Sequence, residues 1–268
     1  MAQTKIVNTP EVKSFPLKIN SFDNEFCVVY FHGLMGSSSH KHVQHLIKDL
    51  NAKKIDNCTF DFFAHGERKK DESLADFTTD KYIEESKMVF HTLKLNGYKK
   101  FIIIGESFGG VLAQVLKTIK LDVIGIVYFF STFDFTAPSD IPYEKILDCV
   151  ENNKPMYVSS ASGATKACLS PEFLKGIVEY QEERDELLKY QVGFPKLIIN
   201  GTKDETCSYE SAIEFAGHFK DAKLVLFETG HTGYDKDKNC YSPENTKMIN
   251  KEILKFIGII KAQLDYFK

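Results

Sequence analysis

The chain predicts an α/β fold with a mostly parallel central sheet, helices on both faces and a small inserted cap. Short β-branched and aromatic runs bounded by Gly, Asn or Asp recur between longer amphipathic stretches, the alternation of strand and helix units. Several of these runs are apolar throughout, as strands covered on both faces are. The length, 268 residues, lies near the upper size for one hydrophobic core, so a single domain over 1–268 with one insertion is expected rather than two domains.

In chain order, the first strand run covers 25–31 and is followed by an amphipathic helix over 41–51. A second strand is read at 59–63, then a long helix at 79–96. The apolar run 100–104 leads into a helix over 108–119, and 123–130 follows as another buried strand. Here the alternation breaks. Between Ser131 and Gln191 stand two helical stretches, 143–152 and 171–190, without a buried strand; the stretch ENNKPMYVSSASGATKACLS between them suits loops or an edge hairpin. This segment, about 132–191, is the expected cap. The alternation resumes with strands at 196–200 and 223–227 around a helix at 208–218. A last helix covers 243–267, with Pro243 in its first turn, where a missing N–H costs nothing.

Composition narrows the function. A net charge of -3 offers no global positive field, and Lys99-Lys100 and Arg68-Lys69-Lys70 are too short to form a basic patch, so no nucleic-acid partner is expected. The six cysteines lack CxxC spacing, which argues against a zinc site or a disulfide framework and for reduced thiols in a cytoplasmic protein. The start lacks a signal-peptide apolar run and no stretch of about 18 apolar residues exists, so no integral membrane association is expected. His42 and His45 stand at helical spacing beside His40, but no acidic or cysteine ligand lies near them in the sequence and HExxH is absent. No metal is expected. No phosphate-binding glycine motif follows a strand, and no cofactor is expected.

The segment KKFIIIGESFGGVLAQVLKTI carries the chemistry. A strand runs into Gly105-Glu106-Ser107-Phe108-Gly109-Gly110 and then a helix, so that Ser107 sits in a tight turn with small residues two before and two after. A serine needs a base and an orienting acid. Asp204 follows the strand at 196–200, with Glu205 as the alternative acid, and His231 follows the strand at 223–227. Taken singly, Asp204 reads more readily as a turn or helix-capping residue; the ordered set of Ser107, Asp204 and His231, each just past a strand, is what points to a triad. An oxyanion hole needs two backbone donors: Phe108 in the elbow, and Leu34 in the turn after the first strand run. Cys207, close behind Asp204, is read as a small packing residue.

The segments FHGLMGS, DFFAHGER, GESFGG, GTKDETC and ETGHTGY resemble the successive motifs of the α/β-hydrolase fold. They are most similar to the small soluble esterases related to bacterial cinnamoyl esterases and monoacylglycerol lipases, grouped also with serine aminopeptidases. The resemblance implies nucleophile, acid and base at Ser107, Asp204 and His231, oxyanion donors at Leu34 and Phe108, and a structural turn held by Asp61 and Gly66. It also implies a serine hydrolase acting on a small-molecule carboxylic ester or thioester through an acyl-Ser107 intermediate. An aminopeptidase or acyltransferase of the same fold, or a non-catalytic ligand-binding relative, is the alternative. Two positions depart from the pattern. Glu106 stands where relatives commonly have His, and is expected in a salt bridge or a polar packing role; Ala64 replaces a common Gly, which puts a left-handed backbone there in doubt. Met35 and the cap residues Phe133, Met156 and Tyr157 are expected to line the acyl pocket.

Overall fold

The computed structural model describes residues 3–10, 14–115, 121–159, 166–235 and 240–266. The end of the helix expected over 108–119, the middle of the expected edge hairpin and Phe267 lie outside the described residues.

Eight strands make the central sheet, in the spatial order β1 (Gln3–Asn8), β2 (Pro16–Ser21), β4 (Asn57–Thr59), β3 (Phe26–Phe31), β5 (Lys100–Glu106), β6 (Asp122–Phe129), β9 (Lys196–Gly201) and β10 (Ala222–Phe227). From β4 to β10 every pairing is parallel. β2 joins β4 antiparallel, and β1 lies antiparallel on β2 at the sheet edge. These two strands were not expected from the sequence. Their signal is the alternation in β2, where Leu17 and Ile19 are buried and Lys18 is exposed; β1, mostly exposed, offers no such pattern.

Alternation along each strand divides the core into two clusters. Phe26, Val28, Tyr30, Ile102, Ile104, Val127, Leu197 and Ile199 pack beneath α1 (Lys41–Ala52) and α7 (Pro243–Tyr266). Val29, Phe31, Phe101, Ile103, Tyr128 and Ile198 pack on the other face, with α2 (Thr79–Leu95), α3 (Phe108–Val115) and α6 (Tyr209–Gly217). Burial on both faces makes the hydrophobic effect the main stabilising term for these strands.

The strand expected at 59–63 is corrected. Pairing ends at Thr59, because the following N–H groups find side chains rather than a neighbouring strand: Phe62 N–H donates to His32 Nε2 (3.0 Å) and Phe63 N–H to Glu85 Oε2 (2.8 Å). Phe60 and Phe62 instead pack with Phe31 in an aromatic cluster.

Between β6 and β9 the chain forms α4 (Tyr143–Glu151), an antiparallel pair of β7 (Met156–Ser159) with β8 (Lys166–Leu169), and α5 (Pro171–Lys189). The pair is a separate two-stranded sheet and does not join the edge of the main one. Ser170 caps α5 by accepting from Phe173 N–H at 3.1 Å. Because the central strands are parallel, the loops after β3, β5, β9 and β10 emerge at one end of the sheet. No helix among the described residues is long and apolar enough to cross a membrane.

Candidate active site

Ser107 stands between β5 and α3 with φ 51, the left-handed backbone that a sharp strand-to-helix turn demands. The glycines around it are needed for close approach. A Cβ on Gly105 would lie 2.6 Å from Gly109 O, and one on Gly109 would lie 2.3 Å from Phe31 O. Ser107 N–H is held by Phe129 O at 3.0 Å, which ties the turn to β6.

Asp204 and His231 meet across two loops. His231 Nδ1 lies 2.8 Å from Asp204 Oδ2, and the other carboxylate oxygen accepts from the N–H groups of Thr206 and Cys207, both at 2.9 Å. The carboxylate side chain is fully buried, whereas that of His231 keeps 13% exposure. Glu205, the alternative acid, is exposed. Burial alone would disfavour charge on the His231 ring; the Asp204 carboxylate and the Cys207 sulfur outweigh it and raise the pKa well above the ordinary value.

The loop after β3 is built by a turn in which Gly36 N–H donates to Gly33 O at 2.9 Å and Met35 takes φ 59. Gly33 is obligatory, since a Cβ there would come 2.8 Å from Ser107 Cβ. Leu34 and Phe108 therefore flank Ser107 on the wall of one cavity. Asp61 holds this loop from outside, accepting from Ser38 N–H (2.7 Å) and Glu67 N–H (3.2 Å). Gly66, φ 52, lets the carboxylate approach: a Cβ would sit 2.0 Å from Asp61 Oδ2. Ala64 does adopt the left-handed region, φ 57, correcting the doubt raised by its side chain. Its N–H is held by Glu72 Oε2 at 2.7 Å, and Arg68 bridges Glu72 and Glu85, so hydrogen bonds offset the local strain.

Glu106 is buried and fully paired. Oε1 meets His42 Nε2 at 2.9 Å and Oε2 accepts from Tyr30 Oη–H at 2.7 Å. Thus an acidic partner does lie beside one of the clustered histidines, brought by β5 across the fold, while His45 is exposed. Burial favours the neutral carboxyl, yet His42 and the Tyr30 hydroxyl hold its pKa down at about 2. The folded value is below the unfolded one, so this stabilisation is full above the ordinary carboxylate pKa and is lost as pH falls from there toward about 2. Glu106→Ala strips buried His42 and Tyr30 of their partner, at about 1–3 kcal/mol for each orphaned group. Urea denaturation should show the loss, and an unchanged midpoint would remove the pair from the stability account.

Ser107, His231, Leu34, Met35 and Phe108 share a cavity of ≈ 800 Å³ with Phe135, Ile141, Ile146 and Val158 from the segment after β6. Three expected pocket residues are elsewhere. Phe133 is fully buried, stacked on Phe215. Met156 and Tyr157 border a smaller cleft of ≈ 280 Å³ that also reaches His231, with Met156 2% and Tyr157 73% exposed. For Tyr157 the cause is the two-residue alternation of β7, which sends Met156 and Val158 inward and Tyr157 outward.

Cys207, read from the sequence as a packing residue, is buried and also borders the cavity. Its sulfur lies 3.9 Å from Ser107 Oγ and 3.2 Å from Thr132 Oγ1. Its Sγ, a His231 ring nitrogen and an Asp204 carboxylate oxygen all fall within 4.8 Å of one another. The sequence signal was the spacing of Asp204 and Cys207 in one loop.

The chain is similar in architecture to known proteins. A family model described as the alpha/beta hydrolase fold matches residues 27–116. No curated protein matches the chain by sequence. Among solved structures, the alpha/beta hydrolase domain-containing protein 10 from mouse is similar with a TM-score of 0.72 at 17% identity, over 97% of this chain and 100% of that one. Est1E from Butyrivibrio proteoclasticus, solved with bound ferulic acid, gives 0.67 at 17% identity over 96% and 99%. The Pyrococcus furiosus esterase Pf2001 gives 0.62 at 17% over 95% and 91%.

Proposed function

We propose that this chain, an α/β hydrolase by fold, is a serine hydrolase that cleaves a small-molecule carboxylic ester or thioester through an acyl-Ser107 intermediate. One observation carries the reading: a serine in a left-handed elbow opens onto the same cavity as a histidine whose Nδ1 is held 2.8 Å from a buried aspartate. His231 takes the Ser107 proton as the oxygen attacks the acyl carbon. The imidazolium then protonates the leaving alcohol or thiol, and the neutral ring next activates water for deacylation. Asp204 fixes the tautomer that leaves Nε2 unprotonated in the resting base and stabilises the charged ring. The N–H groups of Leu34 and Phe108 receive the developing oxyanion. The esterase neighbours support the reading.

The base must be neutral to accept a proton. With its pKa raised chiefly against burial by Asp204, kcat/KM should fall on the acid side at a higher pH than an ordinary histidine dictates. A pH–rate profile checks this; an acid limb below about 6.5, the free histidine value, would contradict it.

The segment after β6 serves as the cap, and its apolar wall residues Phe135, Ile141, Ile146 and Val158 set acyl selectivity. The test is a chain-length series of chromogenic esters run beside fluorophosphonate labelling. Active enzyme labels and shows a preferred length, and Ile146→Trp, which fills the cavity, should shift that preference to shorter acyl groups by roughly 10-fold in kcat/KM ratio. No label and no turnover across esters and thioesters would overturn the reading.

A further inference from the structure

We propose that Cys207 and His231 bind a zinc ion that reversibly silences the enzyme, an inference that rests on the hydrolase reading and adds the regulation of its site. Cys207 Sγ and the His231 ring lie within 4.8 Å of each other and of the Asp204 carboxylate. His231 Nδ1 is committed to Asp204 Oδ2 at 2.8 Å, so the nitrogen left for an ion is Nε2. Zinc-bound imidazoles characteristically pass their other N–H to a carboxylate, which orients the ring and raises its basicity. The Asp204–His231 pair already has that arrangement. A thiolate and an imidazole are the donors zinc favours. Ser107 Oγ, 3.9 Å from the sulfur, offers a third donor and water a fourth.

The ion also has an entry path and an electrostatic reason to arrive. Cys207, His231 and Ser107 border one open cavity, on whose wall, among the described residues, Asp134 and Asp140 stand against Lys41, while the Glu106 carboxylate is already committed to His42 and Tyr30. The absence of CxxC spacing hid the site, because its two donors come from different loops, after β9 and after β10.

Binding replaces the S–H bond of Cys207 with an S–Zn bond, releases that proton to solvent, and engages the Nε2 lone pair. No electron is transferred. His231 can then no longer take the Ser107 proton, and Ser107 is left without its base.

The experiment uses the whole chain in two arms. In the first, ester turnover is followed through a chelator-buffered series of free Zn²⁺, each variant against its own metal-free rate. Wild type should lose activity and recover it on excess chelator. Cys207→Ala, and Cys207→Ser as a same-size check, should raise the half-inhibiting zinc concentration by roughly 10-fold or more. Cys240→Ser, which removes the exposed thiol on the same cavity wall, should leave that concentration where it was. In the second arm, Co²⁺ is titrated in and the near-ultraviolet thiolate-to-cobalt absorption is read. Wild type and Ser107→Ala should develop the band, and Cys207→Ala should not. A Cys207→Ala protein that keeps both the band and the zinc sensitivity overturns the proposal, as does a wild type that shows neither. The band without any ester turnover upholds the metal site and sinks the hydrolase reading, so the two failures are distinct.

Discussion

Ser107→Ala is expected to abolish ester turnover and fluorophosphonate labelling, a loss on the order of 10⁶ in kcat, with only the oxyanion donors and substrate binding left to act. The size of the effect follows from the cavity. Cys207 is a second nucleophile close by, 3.9 Å from the serine oxygen, but it is set in the loop that holds Asp204 rather than at the elbow beside Phe108 N–H, so an oxyanion formed by its attack would miss the donors. The fold should be unaffected. The elbow's strain belongs to φ at position 107, which alanine shares with serine, and the backbone bond to Phe129 O is retained. Circular dichroism and a melting curve alongside the activity assay separate chemistry from unfolding. Undiminished turnover by a pure Ser107→Ala sample would refute the acyl-serine mechanism.

Asp204→Asn should lower kcat by about 10⁴, the scale seen when a triad acid is neutralised. Asparagine can still accept from the N–H groups of Thr206 and Cys207, so the loop keeps its shape. What it removes is the charge that favours the imidazolium, and an amide NH₂ facing Nδ1 inverts the tautomer. The acid limb of the pH–rate profile should move down with it, since Asp204 is the chief group that raises the His231 pKa. Glu205→Gln is the internal control: that side chain is exposed, and its loss should change kcat by less than about 2-fold, within the ±0.5 kcal/mol usual for surface substitutions. A reversal of the two results would assign the acid to Glu205.

How much of this could be read beforehand depended on the range of the interaction. Ser107, Asp204 and His231 were legible because each stands at a polar turn directly after an apolar strand, and the parallel sheet brings such turns to one end. The partners of Glu106 were not legible. Tyr30 and His42 lie 76 and 64 positions away, and they meet Glu106 only because β3 and β5 are neighbours with α1 packed over them. The pocket wall failed for a more local reason. Met156, Tyr157 and Val158 are all apolar or aromatic, so composition did not reveal that a four-residue strand would turn the middle one outward. Phe60 to Phe63 read as a strand from side-chain type alone, while the deciding groups, His32 and Glu85, were distant in sequence.

The packing of α7 over the sheet also governs how the chain can mature during synthesis. Tyr30, Ile102, Val127 and Leu197 share one core cluster with Ile249, Ile253, Ile257 and Ile260 of the last helix, and Asn250 Nδ2–H reaches back to Asp49 Oδ2 at 2.8 Å. The last sheet strands leave the ribosome before the helix that covers them. At roughly 5–20 residues per second, the part of that face that α7 covers waits several seconds after β10 is made before the helix is complete, while α1 already shields the rest, so this side of the core closes last and is adhesive until it does.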